Sequence, residues 1–555
     1  MKRRDFLSGF VGSKVLVDKH SERFLDEPTG DLEKYQGTWS RNEASHLARR
    51  TLFGYKKSDL DILSALSMEE AVAKLLEPSP APELPKYPFV DESGIAYGET
   101  WIDTGYDPFY DGQKLQSLLS WWFGNMLNQN LSITEKMILF WHNHFVTESL
   151  LVSDAKITYK YLELIRKNSL GNIKTFTEEM TINPSMLLYL NGDTNVLGNP
   201  NENFARELFE LFTIGKGPNI APGDYTTYTE EDVLQASRVL TGWRANRPNA
   251  IAFFLPARHD KGIKKFSKAF DFTQISDEGA DEYKVLISMI FSKFETAANF
   301  CRDIYRWFVY YDISEETENN VIKPLAQILI DNDFEIKPVL KALFESSHFY
   351  DLQNRAVMIK NPMDFILGMY KIFDTKFPET QDYDKSFAHL FNYGFVQAYI
   401  QGMIISNPPS VAGWPAYHQE PSFYRSWTSS VSIQFRTILS DVFILNGLRQ
   451  AEFTLQADLF KVVANFSQPE KHLELIKDAL NFLLPDVLAE NIIQNQSIMD
   501  YLSEVVLQTN PDYEWTSFWL YMVDNPDNKE VKNAILYRLK LLFKSILSSA
   551  DYHLM

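Results

Sequence analysis

Apolar residues recur every three to four positions along most of the chain. This period predicts helices over roughly 113–129, 133–149, 154–168, 172–182, 200–214 and 230–242, with more between 281 and 375 and again from 430 to 555. A first helical pattern starts near Asn42 and ends before Gly54. No sustained alternation of polar and apolar residues supports a large sheet; only the stretch 243–280, with Phe253-Phe254-Leu255, reads as a loop or short hairpin. Residues 78–112, which hold six prolines, and the stretch from Asn407 to Trp427 read as long irregular connections, a class often used as lids or binding loops. The expected fold is mostly α: a multi-helix globular array with long irregular loops and at most short strands.

The pattern divides the chain into a mixed-charge leader (1–38), a helical core (39–445) and a C-terminal helical region packed on that core (446–555). Apolar residues make up 45% of the 555, enough for ordinary cores and too many for global disorder. The formal net charge of −19 repels phosphate backbones and excludes a general nucleic-acid binder. A single cysteine, Cys301, excludes an intramolecular disulfide and a Cys-rich metal cluster. No run of 18 apolar residues is present, so no membrane span is expected. The opening Arg3-Arg4-Asp5-Phe6-Leu7 is similar to the core of a twin-arginine export signal, but its apolar region is short and Lys14, Asp18 and Lys19 follow soon after. Export to the periplasm follows if that degenerate signal works; lack of a full signal peptide points to the cytoplasm.

The best-specified local structure opens at Asn199. Asn199 suits a helix cap, Pro200 the first helical position, Glu202 the third, and Gly215 a stop. Phe204, Ala205, Leu208, Leu211 and Phe212 then share one face, and Asn203, Arg206, Glu207 and Glu210 the other, at i, i+3, i+4 and i+7. Two readings stand. The face is solvated, with ion pairs worth a few tenths of a kcal/mol each; or it is buried, with Glu207 and Glu210 as acid/base groups or ligands of a divalent metal and Arg206 holding a carboxylate ionised.

Upstream, Trp141-His142-Asn143-His144-Phe145 sits in a helix that is apolar nearly all round. At 100° per residue His142 and His144 diverge by about 200°, so one metal takes at most one of them; His144 and Glu148, four apart, could converge. A histidine in such a place is otherwise a core residue hydrogen-bonded to backbone or carboxylate. The turn Arg258-His259-Asp260-Lys261-Gly262 gains chemistry only if it folds over the acidic helix face, where His259 and Asp260 would join the constellation. Asn407-Pro408-Pro409-Ser410-Val411-Ala412-Gly413-Trp414-Pro415 is either a loop pinned to the core by Trp414 or the wall of a binding site. Nucleotide-binding glycine loops, the serine-hydrolase elbow and the His-Glu-x-x-His zinc motif are all missing.

Asn201-Glu202-Asn203-Phe204-Ala205-Arg206-Glu207-Leu208-Phe209-Glu210-Leu211-Phe212-Thr213-Ile214-Gly215 resembles the central motif of the bacterial "domain of unknown function 1800" family. Tyr228-Thr229-Glu230-Glu231-Asp232-Val233, Leu240-Thr241-Gly242-Trp243, Phe140 to Phe145, His46 to Gly54, His259-Asp260, Pro408 to Pro415 and the terminal Ser548 to Tyr552 resemble its other motifs, in order, over roughly 40–555. The resemblance implies a largely helical protein of a family with no established activity. Its members are often exported and occur beside a second uncharacterised family, domain of unknown function 1501. It also implies retention of Asn203, Arg206, Glu207, Glu210 and both histidines.

Two functional expectations follow. The first is a hydrolase-like enzyme, metal-assisted or acid/base, with Glu207 and Glu210 as base or ligands, one of His142 and His144 together with His259, and Arg206 orienting a carboxylate or an anionic substrate. The second is a non-catalytic partner or chaperone of a domain of unknown function 1501 protein, with the polar cluster purely structural. Glycoside cleavage is disfavoured, because i, i+3 spacing places the two carboxylates on one helix with Cβ atoms about 5–6 Å apart, whereas such pairs straddle a substrate.

Overall fold

In the computed structural model, residues 30–221, 224–378, 383–450, 452–508 and 510–555 are described. The Arg3-Arg4 motif lies outside them. Helices dominate, and the strands among the described residues form four two-stranded antiparallel ribbons. The helices that build the features below are α1 (Arg41–Thr51), α2 (Asp111–Leu127), α3 (Thr134–His144), α4 (Ala155–Asn168), α5 (Ile173–Thr181), α6 (Glu202–Glu210), α7 (Glu230–Val239), α8 (Glu282–Phe291), α9 (Phe294–Phe308), α10 (Pro362–Ile372), α11 (Ser430–Leu445) and α12 (Lys529–Leu547). The mostly α expectation holds, and the stretch 243–280, expected as a loop or short hairpin, contains two short ribbons, Trp243–Asn246 paired with Ile251–Phe254 and Lys264–Lys265 paired with Gln274–Ile275.

Helix ends differ from the periodic reading where side chains or glycine supply local stops. α3 ends at His144 instead of running to 149, and α6 covers Glu202–Glu210 instead of 200–214. At the other end of the chain's described part, residues 31–35 run beside 345–348: Tyr35 N–H donates to Glu345 O (2.8 Å) and Ser347 N–H to Glu33 O (2.7 Å).

One continuous set of buried apolar side chains extends from Ala44 to Tyr552. No described helix is long and apolar enough to cross a membrane. Inside the core lies a cluster of charge. Asp364, near the start of α10, forms a buried ion pair with Lys136 of α3. Arg50 of α1, Lys360 and Arg436 of α11 are also buried and feel the Asp364 charge. Arg50 donates to Val309 O (3.2 Å) and Asn354 O (2.7 Å). Lys360 donates to Tyr552 O (2.6 Å), and the guanidinium carbon of Arg436 stands 5.1 Å from the centre of the Phe365 ring. Burial pulls Arg50 down to about 9 and Arg436 to about 10, with Asp364 acting against it in both cases.

The same region requires close backbone contact. Gly54, at φ +80°, follows α1, and a Cβ there would stand 2.5 Å from Gly368 Cα on α10. The C-terminal segment closes over it, with Met555 N–H donating to Met358 O (2.9 Å) and Lys360 N–H to His553 O (2.8 Å).

Removing a buried counter-charge is costly because the partner cations stay in the low-dielectric interior. Asp364→Asn is therefore expected to destabilise the protein by about 3–5 kcal/mol, and Lys136→Met by clearly less, since the latter leaves Asp364 among other cations. Urea unfolding of the two variants checks this; equal shifts of the midpoint would contradict it.

Candidate functional site

Backbone polar groups decide where α6 begins and ends. The cap is Asn201, whose side chain accepts from Asn203 N–H (3.0 Å), so Pro200 precedes the cap and does not occupy the first turn. Asn195 Oδ1 accepts from Asn201 N–H (2.9 Å) while its Nδ2 donates to Ser237 O (2.8 Å), which ties the start of α6 to the end of α7. After Glu210 the chain turns back: Gly215, at φ +78°, donates its N–H to Phe209 O (2.9 Å). That turn presents Phe212 O to the ring of His144.

The apolar face of α6 (Phe204, Ala205, Leu208 and Phe209) is buried, and its polar face is half-buried, with Asn203 exposed. Arg206 clamps Glu230, at the start of α7, with both terminal nitrogens (2.7 and 2.6 Å) and also reaches Glu202 (3.3 Å). Glu210 accepts from Lys216 (3.1 Å) and from the Tyr228 hydroxyl (3.1 Å). Glu207 is pushed up to about 6, first by burial and then by the neighbouring charge of Glu210, against the pull of Arg206 and Lys216. Tyr189 stands nearby and donates to Glu148 (2.8 Å).

Glu210 and His144 line one hollow of about 170 Å³ with Asn143, Asn299, Asp303, Arg306 and His418. His144 is set by two acceptors, Asp303 Oδ2 at Nδ1 (3.1 Å) and Phe212 O at Nε2 (3.1 Å). Arg306 has a buried Nε with no hydrogen-bond partner. The loop 407–415 forms part of the wall. Asn143 Oδ1 accepts from Trp414 N–H (2.8 Å), and Gly413 (φ +87°) lies so close that a Cβ would stand 2.4 Å from that oxygen. Because α3 stops at His144, Glu148 is no longer one helical turn from it and bonds Tyr189 instead.

The remaining expected site residues lie elsewhere. His142 is a core residue, 2.9 Å from the Tyr161 hydroxyl and packed between Trp122 and Trp414; burial pulls it down to about 3. Asp260 pairs with Arg238 at the end of α7 (2.8 Å). Glu210, by contrast, sits by Tyr228, before α7 begins, and the eight residue steps from Glu230 to Arg238 span about 12 Å of helix. His259 and Asp260 thus do not fold over the acidic face of α6.

His259 instead bonds Thr241 O through Nδ1 (2.9 Å) and Glu282 Oε2 through Nε2 (2.9 Å). Burial opposes its charge, but the Glu282 bond and the Thr241 carbonyl together hold it above the ordinary value. Among the described residues, His259, Asp277 and Glu282 are the set of three metal-type ligands whose donor atoms lie within 4.8 Å of one another. The ammonium of Lys264, 2.5 Å from Glu282 Oε1, already supplies a cation there. Glu207, Glu210, His142 and His144 form no such set.

Asp303, Arg306 and Asn299 were absent from the sequence reading. With Arg302 they repeat on α9 the i, i+3, i+4, i+7 polar spacing of Asn203, Arg206, Glu207 and Glu210, which is the signal that could have found them. His418 carries no comparable pattern.

The profile of a family described as "Protein of unknown function (DUF1800)" matches residues 46–554. No curated protein and no solved structure matches the chain.

The raised Glu207 has a sign that can be tested. The folded state binds its proton more tightly than the unfolded chain, so wild-type stability falls as pH rises through the interval from 4.5 to about 6. Glu207→Gln should unfold at a higher temperature than wild type at pH 7.5, by an amount equivalent to at most about 2 kcal/mol, and the difference should close below pH 4.5. Thermal unfolding followed by circular dichroism across that range measures it.

Proposed function

We propose, for a chain that belongs to the DUF1800 family of proteins of unknown function, an acid/base hydrolytic activity in the hollow between α3, α6 and α9. The observation that carries this reading is that Glu210 and His144, from helices whose closest ends, His144 and Glu202, are 58 positions apart, meet there with Asp303 and Arg306, drawn from a third helix. Glu210 is oriented by Tyr228 and Lys216 and serves as general base toward a water in the hollow. Arg306, with an unpartnered buried nitrogen, receives an anionic group or the oxyanion that develops during attack. His144 is a positioning residue: held by Phe212 O, it fixes Asp303. The acid/base version is preferred to the metal-assisted one because the carboxylates of α6 and the histidines of α3 do not converge as a ligand set.

A second reading has its own support. Arg206 is fully engaged by Glu230, and Glu210 by Lys216 and Tyr228, as expected of a network that fixes helix packing in a non-catalytic partner or chaperone of a domain of unknown function 1501 protein.

A panel of chromogenic aryl esters, aryl phosphates and peptide anilides separates the two. The enzyme reading expects turnover of at least one class, a loss of about 10²–10⁴-fold in kcat for Glu210→Gln, and an unchanged melting temperature. Turnover indifferent to Glu210→Gln, or none in any class together with co-purification of the neighbouring protein, would overturn it in favour of the second.

A further inference from the structure

A second, larger cavity of about 650 Å³ is bounded by α2, by the end of α10 and by the Tyr383–Leu390 helix. Its volume falls within the roughly 300–1,000 Å³ of small-molecule sites. Trp121, Phe377, Phe387 and Leu390 give it apolar walls.

Part of its polar lining is unsatisfied. Ser120 Oγ, Asn125 Nδ2 and Thr375 Oγ1 are buried and have no hydrogen-bond partner. Buried polar groups are ordinarily paired, so three orphans around one cavity mark the place of a missing partner. Lys371, in the last turn of α10, lines the same cavity and is 6% exposed. The charges that act on it (Asp59, Lys56 and Glu135) do so at range, without a hydrogen bond. Two of these are spent elsewhere, Glu135 on Arg166 (2.6 Å) and Lys56 on Asp374 (3.0 Å).

Lys56, Lys86 and Lys376 also line the cavity, but each already has an ion pair, Lys86 with Glu83 (3.3 Å) and Lys56 and Lys376 with Asp374 (3.0 and 3.3 Å), so among the lining lysines it is Lys371 that lacks one within the described residues. An amide hydrogen, two hydroxyls and an amine all offer hydrogens, which calls for an oxygen acceptor with negative charge.

We propose that this cavity is a binding site for a small carboxylate with an apolar body, the carboxylate accepting from Lys371 and Asn125 and the body lying along Trp121, Phe377 and Phe387. Burial pulls the Lys371 amine down to about 7, so a carboxylate arriving beside it supplies the counter-charge the site lacks. The inference is independent of the hydrolytic reading, which uses a different hollow.

The test is titration calorimetry of the full-length protein with dodecanoate and with methyl dodecanoate at pH 7. Dodecanoate is expected to bind with a stoichiometry of one and the ester at least tenfold more weakly. Lys371→Met, which removes a buried unpaired amine and should fold at least as well, is expected to lose at least tenfold in dodecanoate affinity. Trp121→Ala should weaken both ligands. Absence of dodecanoate binding at millimolar concentration, or equal affinity for acid and ester, or full affinity in a folded Lys371→Met protein, would each overturn the proposal.

Discussion

Most of the structure depends on one buried carboxylate. Asp364 is the counter-charge for Lys136 by direct contact and for Arg50, Lys360 and Arg436 by field, and these cations come from four different parts of the chain. Charges this deep are costly without compensation, and Arg436, whose guanidinium nitrogens have no hydrogen-bond partner, has only the Asp364 charge and the Phe365 ring to offset its burial, so the cluster forms only if α1, α3, α10, α11 and the C-terminal segment arrive together. Lys136 is on the helix that carries Asn143 and His144, and Asp364 is on the helix that carries Lys371. The same ion pair therefore sets the position of both cavities relative to the core.

The two cavities differ in how their polar groups are treated. Around the smaller one, His144, Glu210 and Asn143 each have bonded partners, while Arg306 Nε and Trp307 Nε1 are unengaged. Around the larger one, three buried polar atoms, on Ser120, Asn125 and Thr375, are unpartnered beside the unpaired Lys371. Satisfied groups hold geometry, and unsatisfied ones invite a ligand. The acidic helix α6 lies between these extremes: Arg206 is spent on α7, while Glu207 retains a raised affinity for protons because α6 crowds it against Glu210 in a half-buried setting.

Several family motifs turn out to be packing devices. Arg50 and His46 satisfy the carbonyls of Val309, Asn354 and Phe349, and Gly54 allows α1 to approach α10. Thr241 and Gly242 hold the His259 loop, whose imidazole is committed to Glu282. A motif of mixed polar and glycine residues thus reads alike in sequence whether its hydrogen bonds go to a substrate or to a distant carbonyl.

Local chemistry was legible in the chain itself: the helical period, the hairpin after Trp243, the divergence of His142 from His144, and the i, i+3, i+4, i+7 polar stripe on α6 all follow from spacing of a few residues. Even there, the cap moved from Asn199 to Asn201, because Asn195, held by Ser237, fixes the Asn201 backbone. Tertiary structure alone decided which polar groups meet. Asp303 and Arg306 joined His144 and Glu210 because α9 packs against α3 and the turn that follows α6, while His259 was taken by Glu282 of α8. The reason is physical: a side chain's neighbours on its own helix are set by geometry within one or two turns, whereas its partners on other helices are set by how every apolar face and buried charge is satisfied at once.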